Sequence, residues 1–455
     1  MIAVKIHPGP REHDIAAKKQ ERRYASNDPS QPTPPKGATK KGLLQTLGPG
    51  LVTGAADDDP SGIATYSQVG AQFGFGMLWV MIFSYPLMCG IQEISGQIGR
   101  VTGRGIAGNL QRFYHPVILH VLVSLMVLAN VINLGADIGA MGDALKLLIG
   151  GPALVYAALF TIVSAALETL VPYERYARIL KWMCLSLFAY VATGFVVHIP
   201  WAQALRATLV PTLHFNVTLV TSLVAVLGTT ISPYLFFWQA QSEVEIEKAN
   251  PKERPLKEAP RQAAAQLHRI RVDTYWGMAF SNLIAYFIIV TTAAALHAHG
   301  ITAIETSNQA AQALRPIAGK FAFLLFALGI IGTGLLALPV FAGSAAYAVG
   351  EALNWRVGLN RDIGHAKRFY GVLTASFFVG LALNFMHINP IKALFWSAVI
   401  NGVVAVPIMF LMMHMGSNAT VMGKFTLGRR NRVLGWAATL SMTAAAIALF
   451  ATWGK

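Results

Sequence analysis

The sequence predicts an all-α polytopic membrane protein of eleven transmembrane helices, and three observations carry that prediction. Of the 455 residues, 54% are hydrophobic and only 13% are charged, against about 25% charged in ordinary soluble domains. The apolar residues gather into stretches near the roughly 20 residues that a helix needs to cross a bilayer core of about 30 Å. The Lys and Arg residues concentrate in every second connection between those stretches.

Taken in order, residues 1–43 are polar, contain "PSQPTPPKGATKKG" and lack the apolar run of a signal peptide, which predicts a disordered cytoplasmic tail. A transmembrane domain over 44–455 follows. Its candidate spans are 44–70, 73–99, 115–138, 151–171, 181–199, 217–241, 274–297, 320–349, 368–386, 393–415 and 434–453. Thirty of the 36 Lys and Arg residues lie in the tail and in the segments 100–112, 175–181, 248–271, 356–368 and 424–432. By the positive-inside rule these segments are cytoplasmic, which puts the N-terminus inside and the C-terminus outside a bacterial-type inner membrane. The net charge of +15 is thus chiefly a topology signal, with attraction to anionic lipid headgroups as a by-product. A nucleic-acid partner is not expected, because such a protein would cluster its basic residues on a folded polar surface. The charged stretch "EVEIEKANPKERPLKEAPRQAAAQLHRIR" reads as a solvated connector. Cys89 and Cys184 lie in apolar segments with neither zinc spacing nor a disulfide framework, and read as small core residues.

Two spans contain breaks. In the first, "AADDDPSGIATYSQ" places Asp57, Asp58, Asp59 and Pro60 at membrane depth, where carboxylates are costly and usually face a polar cavity or a partner. Proline removes a donor and disfavours helix before it, so Asp59 is expected where the helix unwinds, with Gly54 and Gly62 easing the unwinding. In the sixth span, "LVAVLGTTISPYLFFWQAQ", Gly228 and Pro233 bracket Thr229, Thr230, Ile231 and Ser232. Secondary transporters commonly carry discontinuous helices at corresponding positions of two inverted repeats, with ions bound between the breaks. The spacing therefore suggests spans 1–5 and 6–10 as inverted repeats, with span 11 added. Asp59 is the leading carboxylate ligand; Asp57 and Asp58 line a vestibule. Pro407, with no neighbouring carboxylate, reads as a kink in a packed helix.

"GPGLVTGAADDDPSGIATYSQVGAQFGFGMLW", followed by "IQEISGQIGRVTGRGIA", resembles the first two helices of the Nramp family of divalent-metal transporters. That family carries Asp-Pro-Gly-Asn in its first helix and Met-Pro-His at its second break, where "GTTISPY" stands here. The resemblance implies an inverted-repeat fold shared with many amino-acid transporters, and a midplane metal site from helices 1 and 6. It implies a ligand set of Asp59, Gly62, Thr229, Thr230 and Ser232, with Tyr234, Asp137 and Asn401 beside the cavity.

The departures bear on the ion. The family's Asn position is Gly62, its Met position Ser232 and its His position Tyr234. Thioethers favour soft ions, whereas carboxylate, hydroxyl, carbonyl and water suit hard ones. Magnesium keeps several waters, so a larger and harder site fits it. The sequence is thus similar to the Nramp-related magnesium transporter branch, with Mg²⁺ first and Mn²⁺ second as the transported ion. In the third span Asn133 and Ala136 stand at the family's proton-relay positions and Asp137 is displaced by one, which predicts passive, potential-driven uptake. The alternatives are a proton-coupled Mn²⁺/Fe²⁺ transporter of the general Nramp type, or an organic-solute carrier on the same fold. No nucleophile elbow, HExxH or phosphate-binding glycine loop is present, so neither an enzyme nor a resident cofactor is expected.

Elsewhere, Gln68, Gln72, Asn130, Asn282, Asn384 and Asn401 are candidates for hydrogen bonds between helices, Asn401 also for the cavity. Glu93 is expected to pair near the inner membrane face, and His297 and His299 to lie in a solvated outer loop.

Overall fold

The structure is a computed structural model that describes residues 53, 54, 56–171, 187–211, 216–359, 363–386 and 388–453. The expected tail at 1–43, residues 44–52 of the first expected span, the basic segment 175–181 and Cys184 lie outside the described residues.

Proline and its capping residues set where several helices begin. Asp59 caps α1 (Pro60–Phe73) with Pro60 in the first turn, where its missing donor costs nothing. A 3₁₀ turn at Gly74–Met77 leads into α2 (Trp79–Thr102). The two limbs meet at 110°, and Gly74 at φ 56° supplies the left-handed backbone that the corner requires. The chain continues through α3 (Pro116–Ile149), α4 (Ala153–Leu170) and α5 (Phe188–Val196). Next come α6 (Val217–Thr230) and α7 (Pro233–Ala249), parted at Ile231 and Ser232. The later long helices are α8 (Ala263–Ala295), α9 (Ala322–Ala352), α10 (Lys367–Leu383), α11 (Pro390–Ser417) and α12 (Arg429–Thr452), with shorter helical segments such as Ile106–Phe113 and Trp201–Leu209 between the long ones.

Among the described residues, eight helical stretches are long and apolar enough to cross a membrane, or nine with the bent pair of α1 and α2. The expected count was eleven. The difference arises at the first span, where α1 has 14 residues and only Thr53, Gly54, Ala56 and Asp57 are described as helical before it, and at the fifth, where α5 has nine.

Close helix approach organises the core. In α9, "GLLALPVFAGSAAYAVG" is almost wholly buried and packs against α3, as small side chains allow in membranes. Asn130 on α3 donates to Phe341 O at 3.0 Å and Ser344 Oγ at 2.8 Å. Asn384 donates to Gly135 O at 2.9 Å. These buried amides tie helices together, as the sequence suggested.

Two expectations need correction. Gly54, read as an aid to unwinding, is helical, and so is Gly228, which brackets the second break. A side chain on Gly54 would overlap the Gly277 carbonyl of α8, and one on Gly228 would meet Gly402 N at 2.5 Å on α11. Their small size serves backbone approach, and the unwound residues are Asp58 and Asp59, then Ile231 and Ser232. The stretch 243–271 is also less of a solvated connector than its charges suggested: α7 runs to Ala249 and α8 starts at Ala263. Glu243 is buried and pairs with Arg269, and Glu253 pairs with Arg100. Leu256 N donates to Arg100 O at 3.2 Å, which seats the loop on the end of α2.

Glu93 sits on α2 as the centre of an ion-pair cluster. It receives Arg271 Nε at 3.2 Å, Arg430 at 2.6 Å, Gln97 at 3.0 Å and Asn431 at 3.1 Å. α2, α8 and α12 are thereby clamped together. His297 is exposed, yet its Nδ1 lies 2.7 Å from Ala71 O, so it fastens the end of α8 to α1.

Candidate functional site

The first break exists because Pro60 cannot continue the helix that carries Ala56 and Asp57. Asp59 consequently adopts an extended conformation, φ −65° and ψ 170°. Its Oδ1 accepts Gly62 N at 2.6 Å and Ser61 Oγ at 2.8 Å. This is an N-cap, and it places the carboxylate at the positive end of the α1 dipole. Oδ2 is turned the other way, toward Tyr234 OH at 3.4 Å.

The second break lies opposite the first. Pro233 starts α7, and Tyr234 reaches back across the gap, its hydroxyl also 3.4 Å from Ala56 O. Phe341 packs against the Tyr234 ring at a tilt of 53°, with centroids 4.2 Å apart. Ser232 donates to Gly228 O at 2.6 Å and Thr229 O at 2.8 Å, and Thr230 to Val226 O at 3.0 Å. Both hydroxyls therefore spend their protons on the last turn of α6, and Ser232 satisfies carbonyls that the break would orphan. Thr229 Oγ1 is buried and has no hydrogen-bond partner.

Gly62, in the first turn of α1, lies against the second break. A Cβ there would lie 3.1 Å from Thr229 Oγ1, 3.1 Å from Asp57 O and 3.4 Å from Asp59 Oδ1. The notch at Gly62 is thus closely bounded by a hydroxyl, a carbonyl and a carboxylate, all hard oxygen donors, and is too tight for a methyl group unless those neighbours yield.

Asp57 and Asp58 turn toward α8 rather than into that notch. Ser281 Oγ lies 2.6 Å from Asp57 Oδ2 and 3.1 Å from Asp58 Oδ1, while the other oxygen of each has no partner. Asp137 on α3 is buried, neither carboxylate oxygen is hydrogen-bonded, and it lies within electrostatic reach of Asp59. Asn401 accepts from Asn133 at 2.8 Å, which links α11 to α3. Among the described residues no three His, Cys, Asp or Glu side chains converge.

Sequence reasoning missed two residues here. Ser281 lies in an unbroken helix with nothing nearby to mark it. Tyr66 was legible, because it stands four residues after Gly62 on one helix face; it is fully buried with an unpartnered hydroxyl.

Comparison with known proteins agrees with this architecture. The divalent metal cation transporter MntH of Klebsiella pneumoniae is 27% identical over 408 residues, covering 88% of this chain and 92% of its own length. The crystal structure of the Eremococcus coleocola manganese transporter superposes with a TM-score of 0.71 at 15% identity, over 93% of this chain and 90% of that one. MhsT in complex with L-phenylalanine superposes with a TM-score of 0.58 at 13% identity, over 89% and 98%. At those identities the two structures establish the fold alone, that of an all-helical membrane transporter. The family described as natural resistance-associated macrophage protein-like matches residues 50–452. The chain therefore belongs to the Nramp family and is an integral membrane transporter rather than an enzyme.

Proposed function

We propose that this protein carries divalent metal cations into the cell, Mg²⁺ foremost and Mn²⁺ second, through a hydrated site between the two helix breaks. One observation carries the proposal: the position of the missing Gly62 side chain lies 3.1 Å from Thr229 Oγ1 and 3.4 Å from Asp59 Oδ1. This supports the reading because hard oxygen donors from both breaks converge at Gly62. Asp59 supplies the charge, Gly62 the room, and Thr229, Thr230 and Ser232 the hydroxyls and freed carbonyls. Asp57, Asp58, Tyr234, Asp137 and Asn401 set the field and walls around it. Serine and tyrosine flank Pro233 where the family has a thioether and an imidazole, so no soft ligand competes for the ion. This is the basis for reading the chain as a member of the magnesium branch.

The MntH relatives are named as divalent metal cation transporters and the Eremococcus coleocola protein as a manganese transporter. Both support metal as the cargo class. Eleven spans in two inverted five-helix repeats are supported by the packing: α1 lies on α8 as α7 lies on α2, and α4 flanks α3 as α10 flanks α9. With the basic segments inside, the N-terminus is cytoplasmic and the C-terminus is outside an inner membrane. Entry is passive, since a divalent ion entering a cell negative inside gains about 4.6 kcal/mol per 100 mV.

The test is a metal-competition series in proteoliposomes with simultaneous internal pH readout. Mg²⁺ and Mn²⁺ entry without acidification is expected. Preferred Cd²⁺ transport would overturn the hard-site reading, and acidification that tracks metal entry would return the protein to the proton-coupled type. Saturable amino-acid uptake with no metal flux would make it an organic-solute carrier.

A further inference from the structure

We infer that Arg112, Lys257 and Lys424 form a binding site for the phosphate of an anionic phospholipid headgroup, at the end of the bundle where α3 begins and α11 ends. Three stretches remote in sequence meet there. The short helix Ile106–Phe113 buries Ile106 and Leu110 and carries exposed Arg112 in its last turn, just ahead of the proline that starts α3. Lys257 is held in place by its backbone, because Leu256 N donates to Arg100 O at 3.2 Å and Lys257 N to Val101 O at 3.3 Å. Its Nζ donates to Thr420 O at 3.3 Å, in the short helix Ala419–Met422 that follows α11. Its Cε lies 3.5 Å from where a Cβ on Gly423 would stand, next to Lys424. Arg112 and Lys257 share one aromatic ring: Cζ of the first is 5.6 Å and Nζ of the second 5.9 Å from the Phe113 centroid. Lys424 Nζ is 5.4 Å from the Phe425 centroid.

These charges are uncompensated. Among the described residues none of the three makes an ion pair, whereas Arg100 and Arg430 hold Glu253 and Glu93. Glu258, next to Lys257 in the chain, is exposed and does not pair with it. Burial and the neighbouring Arg112 guanidinium push the Lys257 ammonium below its usual range. Like charges gathered on one ring repel, and an anion beside them removes that cost. A membrane lipid suits the place better than a free phosphate. Directly after Pro116, the α3 side chains Val117, Ile118 and Val121 are 60%, 38% and 52% exposed, an apolar face for acyl chains to cover. Phe113 and Tyr114 stand between that face and the cations, as aromatic residues do at headgroup depth. A lipid thus meets the cations with its phosphate and the aliphatic side chains with its tails, while a free phosphate meets only the cations. A zwitterionic headgroup brings its own cation and leaves the cluster charged, whereas an anionic one neutralises it.

The experiment follows binding of fluorescent phosphatidylglycerol to the purified full chain in a neutral detergent, with phosphatidylcholine and inorganic phosphate as competitors. Saturable binding is expected, displaced by unlabelled phosphatidylglycerol and by neither competitor at the same concentration. Arg112→Gln, Lys257→Gln and Lys424→Gln should each weaken it about fivefold, the scale of one cation beside an anionic lipid surface. The triple variant should remove it. Arg254→Gln, which neutralises an exposed cation of the same loop, should leave it nearly unchanged. Equal binding of phosphatidylcholine, or an equal loss in Arg254→Gln, would reduce the cluster to diffuse attraction and overturn the inference. Displacement by inorganic phosphate would make the occupant a free anion and overturn it likewise. The thermal midpoint supplies a second reading: phosphatidylglycerol should raise it in the wild type and not in the triple variant, and a rise in both defeats the site. If the triple variant does not fold, the single changes decide, because unaltered binding in all three would sink the inference.

Discussion

Tyr234 OH lies 3.4 Å from both Asp59 Oδ2 and Ala56 O, so a residue that starts the second half-helix touches the charge and the freed carbonyl of the first. The two breaks, 173 residues apart in the chain, form one locus. Whatever changes the position of one half-helix is thereby felt at the other.

Asp59→Asn is expected to reduce Mg²⁺ and Mn²⁺ flux to background while leaving the fold intact, because the amide oxygen can still cap Gly62 N but carries no charge. Flux in proteoliposomes together with the thermal midpoint in detergent checks both halves of the expectation.

Gly62→Ala puts a methyl group 3.1 Å from Thr229 Oγ1 and Asp57 O. Overpacking of this kind costs about 1–3 kcal/mol. The thermal midpoint should fall slightly and the flux ratio should shift from Mg²⁺ toward Mn²⁺, since the notch loses room for water. Combining Gly62→Asn with Ser232→Met should move preference further, toward Mn²⁺, Fe²⁺ or Cd²⁺, as read by competition against radiolabelled Mn²⁺.

Glu93→Gln removes the charge that holds Arg271 and Arg430. Those arginines are 45% exposed and can be rehydrated, so the loss is set at about 1–3 kcal/mol, the scale of charged hydrogen bonds. Thermal stability should decline with ion preference unchanged. A changed Mg²⁺/Mn²⁺ ratio would place Glu93 in the transport route instead.

Imposing a potential of 100 mV, negative inside, should drive Mg²⁺ accumulation toward a ratio on the order of a thousandfold, from about 4.6 kcal/mol per divalent ion. A pH gradient with the potential clamped at zero should drive none. Uptake under the second condition would show that protons supply the work.

Replacing Gly228 by Val should prevent a stable fold. The added Cβ would stand 2.5 Å from Gly402 N and 2.9 Å from Gly402 Cα on α11, and backbone cannot yield as a side chain can. Loss of the monodisperse peak on size exclusion is the expected result.

Much was legible in advance because membrane residence constrains sequence strongly. Long apolar runs marked helices, and Pro60 and Pro233 marked where two of them stop, since proline lacks the donor that a continuous helix requires. The N-terminal carboxylate of α1 followed from the same rule, for Asp59 precedes the proline. The role of Gly54 was not legible, because unwinding and close packing both select glycine and only the neighbouring backbone distinguishes them; the close approach at Gly228 likewise shows only in the fold. Nor was the division of labour among the three aspartates. Asp57 and Asp58 face Ser281 on α8, a contact spanning more than 220 residues.

By itself the chain's order of residues determined which segments enter the bilayer, where the helix axis breaks and which oxygen-bearing side chains stand there, because hydrophobic run length and proline act locally. Only the tertiary structure decided which of those oxygens face each other. Thr230 and Ser232 turn their protons back into α6, Thr229 lies against Gly62, and Tyr234 bridges to Asp59. Those outcomes depend on how the helices cross, and crossing is set by small residues meeting backbone far away in the chain.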